Sequence, residues 1–281
     1  MCERVRKMVN ETLNLSRKRL QNTSLSETEL TAILGGLLGD GSLRIHSGYK
    51  NARYAFRHSD INRQYFLSKT RQLAALSSPG SVTVQPSDGW SRRKKWRFCS
   101  RALPSLTAVH SMTHKNNKLL IRRKWLNHCT PLSLAIWWFD DGSIVGGGRQ
   151  GCLSTDGFSE GECKILAKYL QVTWGVGARV HPIKGKGKTL TDSSEEKGET
   201  ALWKNYYRLY FSTNQLKKLL DIILPHCPCP ELIYKCALKY ADPHYQERWI
   251  SHMESKLPPD LVSLCRSHLQ RGERVVLLEN H

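Results

Sequence analysis

Apolar positions along the chain concentrate in two runs of helical length. Residues 30–43 read LTAILGGLLGDGSL and residues 131–144 read PLSLAIWWFDDGSI. Each run ends in Asp-Gly-Ser and an aliphatic residue, at Asp40 and at Asp141. The likeness continues downstream. Ser59-Asp60 and a helical stretch to residue 76 answer Thr155-Asp156 and a helical stretch to residue 170. Trp96-Arg97-Phe98, ahead of a helix near 103–110, answers residues 206–211, ahead of a helix near 213–223. A lysine follows each, Lys118 and Lys235. Alternating β-branched and aromatic residues mark strands at 52–57, 81–85, 96–99, 151–154, 178–183 and 206–211. The pattern predicts an α+β chain with antiparallel sheet, built from two αββαββα halves about a pseudo-twofold axis. The expected divisions are a basic N-terminal arm at 1–26, a first half at 27–127, a second half at 128–250 and a helical extension at 251–281. The Gly- and Lys-rich stretch 184–198 reads as a loop inserted in the second copy.

Composition narrows the class. The longest apolar run near the middle, 134–139, is far short of the roughly 20 residues that span a bilayer. Hydrophobic content is ordinary for a globular chain, which excludes wholesale disorder. Lys and Arg number 43 against 24 Asp and Glu, a formal net charge of +19, so a polyanionic partner is expected, nucleic acid foremost. Nine scattered cysteines do not form a secreted disulfide framework. A reducing compartment is expected, an organelle (mitochondrion or chloroplast) or otherwise the nucleus, with no secretion. The basic residues 1–20 fit part of a transit peptide, a short helix or a loose arm equally well.

The two Asp-Gly helices carry the chemistry. Gly35 and Gly39 share a face and let another helix approach closely. If the two helices pack along the pseudo-twofold, Asp40 and Asp141 meet. Two carboxylates brought that close repel, and hard divalent cations such as Mg²⁺ relieve the repulsion.

The nine residues at 33–41 (ILGGLLGDG) and those at 134–142 (LAIWWFDDG) resemble the signature of the LAGLIDADG homing endonucleases. The likeness covers about residues 27–240. Residues 130–142 and Ile233-Tyr-Lys-Cys236 resemble the single-chain branch. The resemblance implies saddle-shaped antiparallel sheets, a monomer, a double-stranded DNA target and a double-strand break at a long recognition site. It implies two or three Mg²⁺ held by Asp40 and Asp141, with the backbone carbonyls of Gly39 and Asp140 beside them. It sets Lys118 and Lys235 near the scissile phosphate as catalytic groups. Arg57 and Asp156, just after the second strands of their repeats, are expected around the waters. Leu38 stands where the family often has an acid, and the second helix is bulkier than usual. Members of the family also act as maturases, so binding of intron RNA to assist splicing is the alternative function.

A two-stranded ribbon fits the major groove, so recognition is expected from the strands. The candidate DNA-binding residues are Arg44, Arg53, Arg57, Arg92, Arg93, Lys94, Lys95, Arg97, Arg149, Arg179, Lys184, Lys186, Lys188 and Arg208. The run at 91–96 (SRRKKW) could instead serve as a nuclear localisation patch. His226, Cys227, Cys229 and Cys236 resemble a zinc cluster only faintly, since the spacing is not that of a finger. No Walker A or dinucleotide glycine fingerprint is present.

Overall fold

A computed structural model describes residues 25–87, 93–184 and 205–271. The first half opens with α1 (Glu27–Leu38), then β1 (Ser42–Arg44), β2 (Arg53–Ser59), α2 (Arg63–Gln72), β3 (Val82–Gln85), β4 (Lys95–Cys99) and α3 (Pro104–Thr113). A short hairpin follows, β5 (His114–Lys115) and β6 (Lys118–Leu119), and then one helical turn, α4 (Arg123–Leu126). The second half repeats the order with α5 (Pro131–Asp141), β7 (Gly142–Val145), β8 (Gln150–Leu153), α6 (Glu160–Trp174), β9 (Arg179–Lys184), β10 (Asn205–Phe211) and α7 (Thr213–Ile223). Two 3₁₀ turns, Leu224–His226 and Pro230–Cys236, lead to α8 (Pro243–Glu254) and α9 (Pro259–Arg271). The boundary expected at residue 250 falls inside α8, and the inserted loop lies largely outside the described residues.

Helix starts are written into the sequence. Ser26 accepts from the Glu29 backbone while the Glu29 carboxylate returns to Ser26, a capping box that Ser159 and Glu162 repeat on α6. Thr130 and Ser133 close α5 in the same way, with Pro131 in the first turn. Gly175 ends α6 in the left-handed region, φ 69°, which few residues other than glycine adopt cheaply.

The two sheets share one strand order, β1-β2-β4-β3 and β7-β8-β10-β9, each antiparallel throughout. Their registers also correspond. Ser42 faces Ala55 as Ser143 faces Cys152, so Tyr54 and His58 stand in the first half where Gly151 and Thr155 stand in the second. The first strand of each sheet follows directly on the Asp-Gly pair and is a difference from the expected elements, as are the β5–β6 hairpin and the 3₁₀ turns.

The core runs through both halves and is centred on α1 against α5. Gly35 permits this contact: a Cβ there would lie 2.6 Å from the Ser133 carbonyl oxygen, backbone against backbone. Ser133, fully buried, donates across the interface to the Thr31 carbonyl at 3.0 Å. Trp137, Trp138 and Phe139 are buried on α5, and the Trp138 indole donates to the Lys235 carbonyl at 3.1 Å. The terminal helix α9 packs on the turn Pro230–Cys236. Among the described residues, no helix is long and apolar enough to cross a membrane.

Candidate active site and nucleic-acid interface

Because α1 and α5 pack side by side, their C-terminal ends bring three carboxylates together. The Asp40 side chain is 44% exposed, and its pKa rises to about 6. Burial is the main cause, the charge of Asp140 adds to it, and Lys69 and Lys235 pull against it. Asp141 rises to about 7, through burial and then through Asp40 and Asp140, opposed by Lys235 and Lys69. Two neighbouring anions are thus left incompletely neutralised.

Asp140 has a different environment. Its side chain is fully buried and accepts the Tyr65 hydroxyl at 2.7 Å and the Lys69 ammonium at 2.9 Å on each oxygen. It also accepts the backbone N–H of Asp40 at 3.1 Å, so it reaches from α5 to the end of α1. Burial alone would raise its pKa, but Lys69, His58 and Tyr65 outweigh it, and the carboxylate stays below its ordinary value. Gly39 makes the room, since a Cβ there would stand 2.6 Å from the Asp140 side chain.

His58 completes the group. Its Nδ1 lies 3.5 Å from Asp40 Oδ2 and its Nε2 lies 3.8 Å from Asp140 Oδ1. Burial, with Lys69 beside it, drops its pKa to about 3, so the ring is neutral near pH 7. Asp40, His58 and Asp140 offer ligand atoms within 4.8 Å of one another. Asp140 is already occupied by Lys69, Tyr65 and the Asp40 amide. The oxygen donors of Asp40 and Asp141 therefore fit a hard divalent cation better than that triplet does.

Lys235, on the turn Pro230–Cys236, donates to the carbonyls of Phe139 at 2.7 Å and Asp140 at 3.1 Å. This is a cation on the last turn of α5, where the helix dipole favours it. The Asp140 carbonyl, expected beside metal ions, is therefore engaged by Lys235. Lys118 is set apart. It lies exposed on the β5–β6 hairpin, and its charge acts on Glu162 at the start of α6. The cation that joins Lys235 in acting on Asp40 and Asp141 is Lys69. The matched placement of the two lysines does not carry over into space, because the chain turns differently after α3 and after α7. Asp156, expected near the waters, instead holds Arg208 through two bonds of 2.6 and 2.7 Å.

Sequence reasoning missed Lys69, Tyr65 and His58. The strand alternation around His58 was legible and puts that residue on the inner face with Phe56. Nothing local marks Lys69, which sits in the polar stretch RQYFLSKTRQ yet is 2% exposed.

The outer face of the first sheet is basic. Leu43, Tyr54, Phe56, His58 and Phe98 point inward and are buried. The register sets Arg44, Arg53, Arg57, Lys95 and Arg97 on the opposite face, with Arg57 directly opposite Arg97. Arg53 lies over the Tyr49 ring at 4.4 Å. Arg93 and Lys94 are exposed just before β4. The matching face of the second sheet carries Arg179 and Arg208 among Val145, Cys152, Ile183, Tyr206 and Tyr210. Arg149 is exposed beside the β7–β8 turn, and Lys184 falls on the other face of β9. Arg92, Lys186 and Lys188 lie outside the described residues.

The cysteine group near residue 227 shows no thiolate character. Burial pushes Cys227 up to about 12 and raises Cys229 and Cys236 as well.

Paired helices ending in aspartate between two like saddles define the class, and the comparisons with known proteins agree. A model of the LAGLIDADG DNA endonuclease family matches residues 30–219, and the chain belongs to that family. It is 27% identical over 164 residues to the cytochrome b mRNA maturase bI2 of Debaryomyces hansenii, covering 57% of this chain and 62% of that protein. It is 25% identical over 169 residues to the DNA endonuclease I-ChuI of Chlamydomonas applanata, covering 54% and 76% respectively. The structure of the homing endonuclease I-WcaI bound to its DNA recognition sequence shares the fold, with a TM-score of 0.60 at 19% identity over 78% of this chain and 90% of that one. The chain spans roughly half to three fifths of the length of most curated relatives that it matches.

Proposed function

We propose that this chain is a monomeric, metal-dependent DNA endonuclease that makes a double-strand break at a long recognition site. One observation carries the reading: Asp40 and Asp141 stand at adjacent helix ends with their pKa values raised, and the basic first sheet starts directly behind Asp40. The donor set fits Mg²⁺, which takes carboxylate oxygens readily, and Asp40 and Asp141 would hold two or three such ions between them. When bound, the metal supplies charge neutralisation and a water near deprotonation. Lys235 keeps a positive charge beside Asp141 for an incoming phosphate. The arginines of the outer sheet face hold the duplex through phosphates and base edges.

The experiment is incubation of the purified chain with a library of duplexes in Mg²⁺, followed by sequencing of the cut ends. Cutting at one long site is the expected result. Failure to cut any duplex, in Mg²⁺ and in Mn²⁺, would overturn the reading.

The likeness to the maturase bI2 of Debaryomyces hansenii favours a second reading, in which the basic surface binds intron RNA and assists splicing. Tight binding of a structured intron RNA, with splicing assistance retained by Asp40→Asn and Asp141→Asn, would favour it.

A further inference from the structure

We propose that Asp140 is a positioning residue that sets where Asp40 stands, and that Lys69 and Tyr65 serve to hold Asp140 in place. The inference deepens the nuclease reading and rests on it for its kinetic arm.

Asp40 follows the end of α1, where Gly39 returns its N–H to the Gly36 carbonyl. The Asp40 N–H points out of the helix and would otherwise need another partner. It finds Asp140 Oδ2 at 3.1 Å, on the opposite helix and in the opposite half. The side chain of Asp140 has no exposure, so the acceptor is held rigidly while the Asp40 end of the bond faces solvent. Lys69 grips both of its oxygens at 2.9 Å, and Tyr65 takes Oδ1 at 2.7 Å. Each of these partners comes from α2, so the first half holds the carboxylate that in turn holds Asp40.

The arrangement is complementary in shape as well as charge. Asp140 occupies the space that a side chain at position 39 would fill. It is also one-sided. The positions matching Gly39 and Asp140 in the two motif runs differ in chemistry, and α6 buries Cys163, Leu166, Tyr169 and Leu170 where α2 buries Tyr65, Phe66 and Lys69. A buried ion pair of this kind is weak support for stability, since apolar replacements often serve as well. Its value here lies in the direction it gives to one backbone N–H.

Two double variants separate position from stability. Lys69→Met with Asp140→Asn removes the ion pair and keeps an acceptor for the Asp40 N–H. Lys69→Met with Asp140→Leu removes both, and each replaces the buried charges with neutral groups that the core tolerates. Folding is checked by thermal melting. In single-turnover cleavage of a duplex that the wild type cuts, the Asn variant is slowed by the loss of the Lys69 charge near Asp40 and Asp141 and serves as the reference for the Leu variant. The Leu variant should be slower by about 100-fold, with the duplex Kd little changed, as a small misplacement of a reacting group produces. Equal rates for the two variants would overturn the proposal. The Asp40 amide in ¹⁵N spectra gives an arm independent of cleavage. Its shift should be similar in wild type and the Asn variant and displaced in the Leu variant. If the wild-type chain cuts no duplex, the nuclease reading falls, and the amide alone decides. An Asp40 amide that does not move between the two variants would overturn the positioning role.

Discussion

The two halves share order and register and differ by exchange. In the first, the helix yields room and the strand fills it: a Cβ on Gly36 would meet the hydroxyl of Tyr54. In the second the strand yields the room, for Gly151 stands where Tyr54 would and its missing side chain makes room for Leu216, Phe211 and Trp138, the last of which matches Leu37 rather than Gly36. The core accepts either solution because total volume is kept. At the helix ends the exchange is one of charge, Gly39 against Asp140. On the sheets it is one of polarity, five outward cations in the first against Arg179 and a tethered Arg208 in the second. Duplication therefore fixes the path of the backbone, while each pair of facing positions drifts jointly.

The sharpest test of what the halves still share is at the aspartates. Asp40→Asn and Asp141→Asn should each abolish double-strand cleavage while leaving duplex binding largely intact, read by cleavage in Mg²⁺ and gel shift in Ca²⁺. Near wild-type cutting by either variant would mean that the two ends are not equivalent. Next in size is the contrast between the lysines. Lys235→Ala should slow cleavage by about 10²-fold, since it removes a charge set against Asp141. Lys118→Ala should do far less. Equal slowing would restore the symmetry that the sequence suggests.

Packing offers a stability test of intermediate size. Gly36→Ala should cost about 1–3 kcal/mol by overpacking against Tyr54. Adding Tyr54→Phe should return part of that cost, and a double-mutant cycle by denaturant titration measures the coupling. Simple additivity would show that the exchange of volume is not real. The smallest effects concern the sheets. Arg57→Ala and Arg97→Ala should each lower the log–log salt slope of duplex binding by about 0.9. Arg208→Ala should change it less, because Asp156 already holds that guanidinium. A larger drop at Arg208 would remove the contrast between the faces.

How much of this was legible follows from sequence distance. The paired helices, three of the four strands of each sheet and the two aspartates are local patterns, and the repeat made them readable twice over. Lys69 and Asp140 lie 71 positions apart, in different halves, so no window on the chain contains both. A lysine in a polar helix looks like a solvated one until the fold buries it. Lys118 differs for the complementary reason: matched order along two repeats does not ensure equal packing when one copy closes a hairpin after its helix and the other forms two 3₁₀ turns. Arg208 was rightly put on a strand, but the sequence did not show that Asp156 would claim it.

The interlock of Gly39 with Asp140 bears on which halves can partner. A molecule assembled from two copies of the first half would pair glycine with glycine and leave Lys69 buried without a counter-ion in each. One assembled from two second halves would press two Asp140 carboxylates together, with only the Cys163, Leu166, Tyr169 and Leu170 surface of α6 to receive them. Either homodimer strands a buried charge, a penalty of several kcal/mol per ion. Any ancestor that worked as a symmetric dimer must have lacked this lock, and splicing halves between relatives will succeed only where residues 39, 69 and 140 travel as a set.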